Sequence, residues 1–367
     1  MEPVTHFLTG ACLGRSGFNR TTAYATLAMV LAAEAPDIDV LWGFRGPVAG
    51  FEHHRGITHT FLGAPFMALV VTGAVWLWHR WQTRSAATEQ AGGTAPVQQP
   101  GRKPKAPPVR WGVIWLLALI ADFSHLLLDW TNNYGLRPFF PFNPRWYAGN
   151  IFFIFEPVLF GALLIALVVP AILGLADREI GVRRQPFCGR GWAIFALCVG
   201  VVLGCWRWAE HERALYLLAE QNYQNEPIVK MTVSPYPGDV FRWFGVVETR
   251  DFYQTAILNT RTDSFTSQAP SDLYYKQPQT AAILTAKRSW LGRVYLDWSQ
   301  FPFVEESGIF GALPNGAHYT AVRFQDLRFA YNALFLHGRR GNPLGGTVII
   351  APDGKVDEMR MGDRVQK

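Results

Sequence analysis

The sequence predicts an α-helical membrane domain, with four spans plus an N-terminal re-entrant or interfacial helical hairpin, followed by a β-rich extracytoplasmic domain. Three observations predict it. Charged residues make up only 17% of the 367-residue chain, against about 25% in ordinary soluble domains. Long uncharged runs fill much of the first 215 residues. From about Glu210 the pattern changes to short β-branched or aromatic runs punctuated by Pro237-Gly238, Asn315-Gly316 and Asp353-Gly354, which are turn signals between strands.

A helix needs about 20 mostly apolar residues to cross a bilayer. Phe61–Trp78 is uncharged, Trp111–Trp130 is apolar except for Asp122, His125 and Asp129, and Pro157–Ala176 and Gly191–Trp206 are uncharged. These are the four predicted spans. Thr21–Ala33 is uncharged but only 13 residues long, which suits a re-entrant or buried helix better than a span. It forms the second arm of a hairpin that begins near His6 and turns at Ser16–Arg20. The expected domains are 1–215, membrane-embedded, and 216–367, β-rich, with strands at Ile228–Ser234, Val240–Glu248, Phe252–Asn259, Arg293–Trp298, Tyr319–Gln325 and Thr347–Ala351.

The loops set the orientation. His79–Arg110 carries Arg80, Arg84, Arg102, Lys103, Lys105 and Arg110 against one acid, Glu89, and its Pro, Gly, Gln and Ala content reads as a disordered basic linker. Asp177–Arg190 carries four arginines. Two spans separate these loops, so they share a side, and the positive-inside rule places both in the cytoplasm of a multi-pass inner (plasma) membrane protein. Thr131–Asn150 and everything after the fourth span then lie outside. The basic linker suits contact with anionic lipid headgroups; no nucleic-acid signature accompanies it. The N-terminus lacks the basic and apolar segments of a cleavable signal peptide. Cys12, Cys188, Cys198 and Cys205 include no C-x-x-C pair and read as small hydrophobes, not as a disulfide framework or thiolate site.

Four segments carry metal-type ligands: His6; Asp37-Ile38-Asp39; His53-His54-Arg55-Gly56-Ile57-Thr58-His59; and Asp122, His125 and Asp129. The last three stand at i, i+3 and i+7 of one helix and share a face. His and Asp at i, i+4 reach a single ion. Ionisable groups inside a span are costly and face a cavity or a partner. Mixed imidazole and carboxylate donors suit zinc, with manganese as the alternative, better than calcium. Each feature has a plainer reading. His6 alone fits an interface histidine, Asp37-Ile38-Asp39 a helix end, His53-His54 a surface pair, and Asp122 a structural contact between spans. Convergence of His6, Asp37, Asp39, His54, His59, His125 and Asp129 on one membrane face, expected from the loop charges, argues against coincidence.

These segments resemble the YdjM-like family of membrane-bound, predicted metal-dependent hydrolases. The resemblance rests on Thr5-His6 with Gly10, Pro36-Asp37-Ile38-Asp39, His54-Arg55-Gly56-Ile57-Thr58-His59, Ser124-His125-Leu126-Leu127-Leu128-Asp129, Thr131-Asn132-Asn133-Tyr134-Gly135, Pro141-Phe142 and Arg145-Trp146, across about residues 3 to 160. The family pattern has Asp-Pro where this chain has Glu156-Pro157. The ligand order also resembles, more weakly, the zinc-dependent phospholipase C and nuclease group, which implies several ions and a phosphoester substrate.

The expectation is therefore a membrane-bound metal-dependent hydrolase holding one to three ions. A bound metal lowers the pKa of water to about 7. Glu156 is the candidate base or further ligand, and Arg55 the candidate group for phosphate charge or, more simply, a partner for Asp37 or Asp39. A site at the outer face favours a lipid or lipid-linked substrate, with membrane lipids as the surroundings. A non-enzymatic scaffold or receptor with a structural ion is the alternative. A transporter fits poorly, because the polar groups cluster at one depth. His337–Gly346 is rich in Gly and Arg but lacks P-loop spacing.

Overall fold

The structure is a computed structural model describing residues 1–91, 107–179, 189–267, 270–312, 318–330 and 344–366. Its helices are α1 (Pro3–Arg15), α2 (Ala25–Glu34), α3 (Pro47–His53), α4 (Gly63–Ala91), α5 (Trp111–Trp130), α6 (Pro157–Glu179), α7 (Arg190–Ala219), α8 (Ala281–Arg288) and α9 (Trp290–Trp298). Its strands are β1 (Lys230–Pro235), β2 (Arg242–Glu248), β3 (Phe252–Asn259), β4 (Ser264–Thr266), β5 (Leu273–Tyr275), β6 (Pro302–Ala312), β7 (His318–Asp326), β8 (Gly346–Ile350), β9 (Val356–Met361) and β10 (Arg364–Val365). A helical N-terminal region thus precedes a β-sheet-rich C-terminal region.

Among the described residues, three helices are long and apolar enough to cross a membrane: α5, α6 and α7. The count rises to four if Pro47–His59 and Gly63–Ser85 form one broken span. The chain divides into two compact units that interleave along the sequence, across the single boundary expected near residue 215. One comprises 1–38, 57–147 and 154–204, the other 39–56, 148–153 and 205–367.

In the helical unit, α1 and α2 form the expected hairpin, and α2 packs on α4 and α5. Small residues make this possible. Ala25, Ala28, Met29, Ala32 and Ala33 of α2 are buried, and they pack with Ala68, Val71, Leu117, Ala118 and Ala121. With no water to separate apolar helices, close backbone approach is what holds them. Gly10 is where α1 and α2 come nearest: a Cβ there would lie 2.7 Å from the Met29 carbonyl oxygen and 2.9 Å from the Ala33 Cβ. Gly10→Val is expected to force the helices apart and cost about 1–3 kcal/mol, read as a lower melting temperature of the detergent-purified protein.

The expected basic linker starts later than the sequence suggested. α4 continues through Arg80 and Arg84 to Ala91, because Ala, Gln and Glu are good helix formers; residues 92–106 lie outside the described residues. Residues 180–188 of the second basic loop and 337–343 of the Gly/Arg-rich stretch lie outside them as well.

The second unit holds two antiparallel five-stranded sheets, one ordered β1-β2-β3-β4 with β5 also on β3, the other β10-β9-β8-β7-β6. Ala214 and Leu218 at the end of α7 pack with Val233, Trp243, Val247, Phe252 and Leu258 of the first sheet. One strand expectation is corrected, and β4, β5, β6, β9 and β10 lie outside the strands that the sequence predicts. Arg293–Trp298 is helical, part of α9, whose buried residues Leu291, Tyr295 and Trp298 recur at helical spacing. The Ser289 side chain caps it by accepting from the Gly292 N–H. β6 was missed because Glu305-Glu306-Ser307-Gly308 interrupts its apolar pattern, and pairing with β7 supplies the order instead. α3 belongs to this unit too. Phe51 meets Tyr295 and Trp298 at ring-centroid distances of 5.8 and 5.1 Å, and Trp290 Nε1 donates to Glu52 at 3.0 Å.

Candidate metal centre

The last two turns of α5 carry His125 and Asp129 on the face that α1 and α2 cover, and both side chains are fully buried. Asp37 arrives on the 3-10 turn that follows α2, and His59 on the short 3-10 turn before α4. One donor atom from each of Asp37, His59, His125 and Asp129 falls within a cluster no wider than 4.8 Å.

The pairwise distances test whether an ion fits. His59 Nε2 is 3.1 Å from His125 Nε2, 3.3 Å from Asp37 Oδ1 and 3.5 Å from Asp129 Oδ2. His125 Nε2 is 3.6 Å from both Asp37 Oδ1 and Asp129 Oδ2. A tetrahedral zinc site with bonds of about 2.0–2.1 Å has donor–donor edges of about 3.3–3.4 Å.

Tautomers agree with this. His125 Nδ1 lies 2.7 Å from the Ala33 carbonyl oxygen, an acceptor, so Nδ1–H donates and the neutral ring turns the Nε2 lone pair to the cluster. His59 Nδ1 meets Thr58 Oγ1 at 3.1 Å, leaving its Nε2 to the same centre. Two imidazole lone pairs and two carboxylates facing one another repel; a divalent cation among them satisfies all four. Asp37 is the open member: its side chain is 24% exposed, while the other three are at 0–1%.

His6 lies against the cluster without joining the four. Its ring stacks on His125 with centroids 3.8 Å apart, and its Nε2 is 3.3 Å from Asp129 Oδ1. The Met1 amino group also contacts that oxygen. Asp129 thus turns Oδ2 to His59 and His125 and Oδ1 to His6. Neither ring nitrogen of His6 makes a hydrogen bond among the described residues, although the residue is buried.

The other candidates are placed as follows. Asp122 shares the α5 face and is fully buried, and its oxygens make no hydrogen bond among the described residues. Glu156 is buried immediately before α6 and outside the four-donor group. Asp39, His54 and Arg55 belong to the second unit. There Asp39 accepts the Arg55 backbone N–H at 2.6 Å and lies 3.3 Å from His54 Nδ1. This bracing supports the left-handed backbone of Arg55, φ +54°, a conformation that costs a non-glycine residue energy. The Asp39 carboxylate is engaged locally, which explains why it and Asp37, two residues apart, do different things.

The sequence did not single out the Ala33 carbonyl that orients His125, for a backbone acceptor leaves no residue-type signal. It also passed over Arg137, which is buried and stacks on Phe140 and Trp146 with its guanidinium 4.9 and 4.7 Å from the ring centroids. Within the quoted Thr131–Gly135 motif, the Asn132 side chain accepts the backbone N–H groups of Tyr134 and Gly135, a turn that closes the end of α5 beside the cluster.

Comparison with known proteins agrees with the membrane spans. The chain is 24% identical over 177 residues to the uncharacterized protein YfhP of Bacillus subtilis (strain 168), an alignment that covers 46% of this chain and 46% of that relative, so the chain spans about half the length of the relative it matches. No solved structure matches. Residues 1–214, more than half of the chain and all of the helical elements that carry the four donors, match the family described as "YdjM inner membrane protein". This chain therefore belongs to the YdjM family of inner membrane proteins.

Proposed function

We propose that this protein is a metal-dependent hydrolase of the membrane surface, acting on a phosphoester of a lipid or lipid-linked substrate. The observation that carries the reading is the donor geometry: among Asp37, His59, His125 and Asp129, the distances that involve the two imidazoles run from 3.1 to 3.6 Å, close to the edges of a tetrahedral site, and Asp37 alone reaches toward solvent. Zinc suits this donor set, with manganese as the alternative. An ion held there would lower the pKa of water to about 7 and supply the nucleophile class that hydrolysis needs.

The chain's own residues do the rest. His59 and His125 hold the centre as neutral donors through their Nδ1 contacts with Thr58 and Ala33. The buried faces of α1 and α2 exclude water from the side of Asp129 and His125. A second ion on the His6 side, which the resemblance to multi-ion phosphoesterases implies, would have to displace the Met1 amino group from Asp129 Oδ1. Glu156 is the base candidate in the same unit. Arg55, the candidate group for phosphate charge, belongs to the other unit.

For orientation, the basic residues of 79–110 and 177–190 support a cytoplasmic side for those loops. Asp129 is the next-to-last residue of α5, so the cluster sits at the end of a span, and the proposal puts it and the β-rich region on the outer face.

A structural ion is the competing reading, favoured by one fact: the cluster offers four protein donors, the number that closes a structural tetrahedral site. The test joins metal analysis to activity. Wild-type protein purified in detergent and reconstituted with zinc or manganese is expected to hold one to three ions per chain, and to hydrolyse phosphomonoesters, phosphodiesters or phospholipids. His125→Ala is expected to lose both. Wild type that holds no metal sinks the proposal. Metal without hydrolysis of any of these substrates leaves the structural ion.

A further inference from the structure

The 3-10 turn that continues from Asp37 carries a run of exposed apolar side chains outside every candidate span. Val40 is 71% exposed, Leu41 53% and Phe44 89%. Leaving three large apolar groups together in water is unfavourable by about 25 cal/mol per Å² of surface, and patches of this kind mark contact sites.

The run is held firmly from behind, so looseness does not explain its exposure. Asp39 ties it to Arg55 and His54. Gln366 donates from Nε2 to the Arg45 carbonyl at 3.0 Å and accepts the Val48 N–H at 2.9 Å. Trp42 is fixed between the His53 ring, 4.0 Å away, and the Arg45 guanidinium, 4.7 Å away. The result is a braced turn with apolar side chains projecting outward, an aromatic in the middle and one arginine at its edge.

The occupant follows from the chemistry and the chain. Mixed aliphatic and aromatic groups flanked by a snorkelling arginine match the boundary between headgroups and acyl chains. Only three residues of chain, at most about 11 Å, separate Val40 from Asp37, and Asp37 meets His125 near the end of the apolar helix α5. That is the depth at which a bilayer surface lies. The membrane is already required by α5, α6 and α7. We propose that Val40, Leu41 and Phe44 insert into the acyl–headgroup boundary of the leaflet next to the metal centre, as a wedge that anchors this segment to lipid.

The proposal rests on the membrane location and not on hydrolysis, so its test is independent of activity. Cys12, Cys188, Cys198 and Cys205 are replaced by Ala or Ser, and a spin label is attached at Val40→Cys, Phe44→Cys or, as an aqueous control, Arg250→Cys, whose side chain is 85% exposed. The full chain is reconstituted in phosphatidylcholine–phosphatidylglycerol nanodiscs, and collision with oxygen is compared with collision with a water-soluble nickel chelate. Variants are read only if they keep the wild-type elution profile. Labels at 40 and 44 are expected to favour oxygen several-fold, with the control favouring nickel. Nickel access at 40 and 44 equal to the control overturns the wedge. So does shielding from both probes, which would mean that protein, from this chain or a second copy, covers the turn.

Discussion

Asp129→Ala is expected to abolish metal binding, lowering affinity by more than the roughly 10–100-fold typical of residues that only orient a ligand. Asp129 is fully buried and serves both sides of the site, Oδ2 toward His59 and His125 and Oδ1 toward His6. No other carboxylate can take its place from the same helix. Asp122 is seven residues earlier on the face but outside the four-donor group. Asp122→Asn is therefore expected to keep its metal. Inductively coupled plasma mass spectrometry of the two variants beside wild type decides this. Equal metal in Asp129→Ala and wild type would remove Asp129 from the site. The same preparation assayed for phosphoester hydrolysis separates loss of the ion from loss of chemistry.

Arg328→Met is expected to have the largest effect on the β-rich unit. Arg328 and Asp326 are both fully buried. Arg328 Nε and Nη2 reach the two Asp326 oxygens at 3.0 and 2.8 Å. Ser299 Oγ and the Gln300 N–H add bonds of 2.8 and 2.9 Å to Oδ2. Removing one partner leaves a buried carboxylate without its countercharge, at a cost of about 3–5 kcal/mol. Arg328→Met with Asp326→Leu is expected to cost much less, because no charge is then stranded. Pulse proteolysis in urea measures both. Equal losses in the single and double variants would show that packing against Trp298 and Phe329, not the charge, is what matters there.

The pair also sets a pH dependence. Burial pushes the Asp326 carboxyl up, but Arg328 and the hydrogen bonds outweigh that and hold it below its ordinary value. A depressed carboxyl contributes stability that is complete above the unfolded pKa of about 3.9 and is lost as pH falls through the lower folded value. The β-rich unit is thus expected to lose stability below about pH 4 through this pair, and Arg328→Met to flatten that dependence.

Much of this protein was legible as sequence. Hydropathy marked α5, α6 and α7, because a lipid-crossing helix must be apolar over its whole length and few other structures need that. The i, i+4 spacing of His125 and Asp129 placed them on one helix face, because helical geometry is local. β1, β2, β3, β7 and β8 were visible where β-branched and aromatic residues cluster between turns. Where local pattern and tertiary packing compete, the sequence misled. Arg293–Trp298 has strand-like composition, yet the Ser289 cap and the burial of Leu291, Tyr295 and Trp298 make it a helix. β6 looks too polar for a strand, yet it is paired along much of its length to β7.

The selection among ligand types was beyond the sequence. Asp37 and Asp39 differ by two positions and share a residue type, and His54 and His59 stand in one motif. Residue type and spacing say that each can bind a metal; they cannot say which donor atoms meet. That depends on where the Asp39 carboxylate finds its nearest N–H, on the Gly10 approach that sets α1 against α2, and on the Ala33 carbonyl that turns His125 inward. Composition and period determined the membrane helices, the β-rich region and the supply of ligands. Only the tertiary structure decided that Asp37, His59, His125 and Asp129 gather into one four-donor cluster, because such a cluster is a set of distances between segments far apart in the chain, and those distances are set by packing.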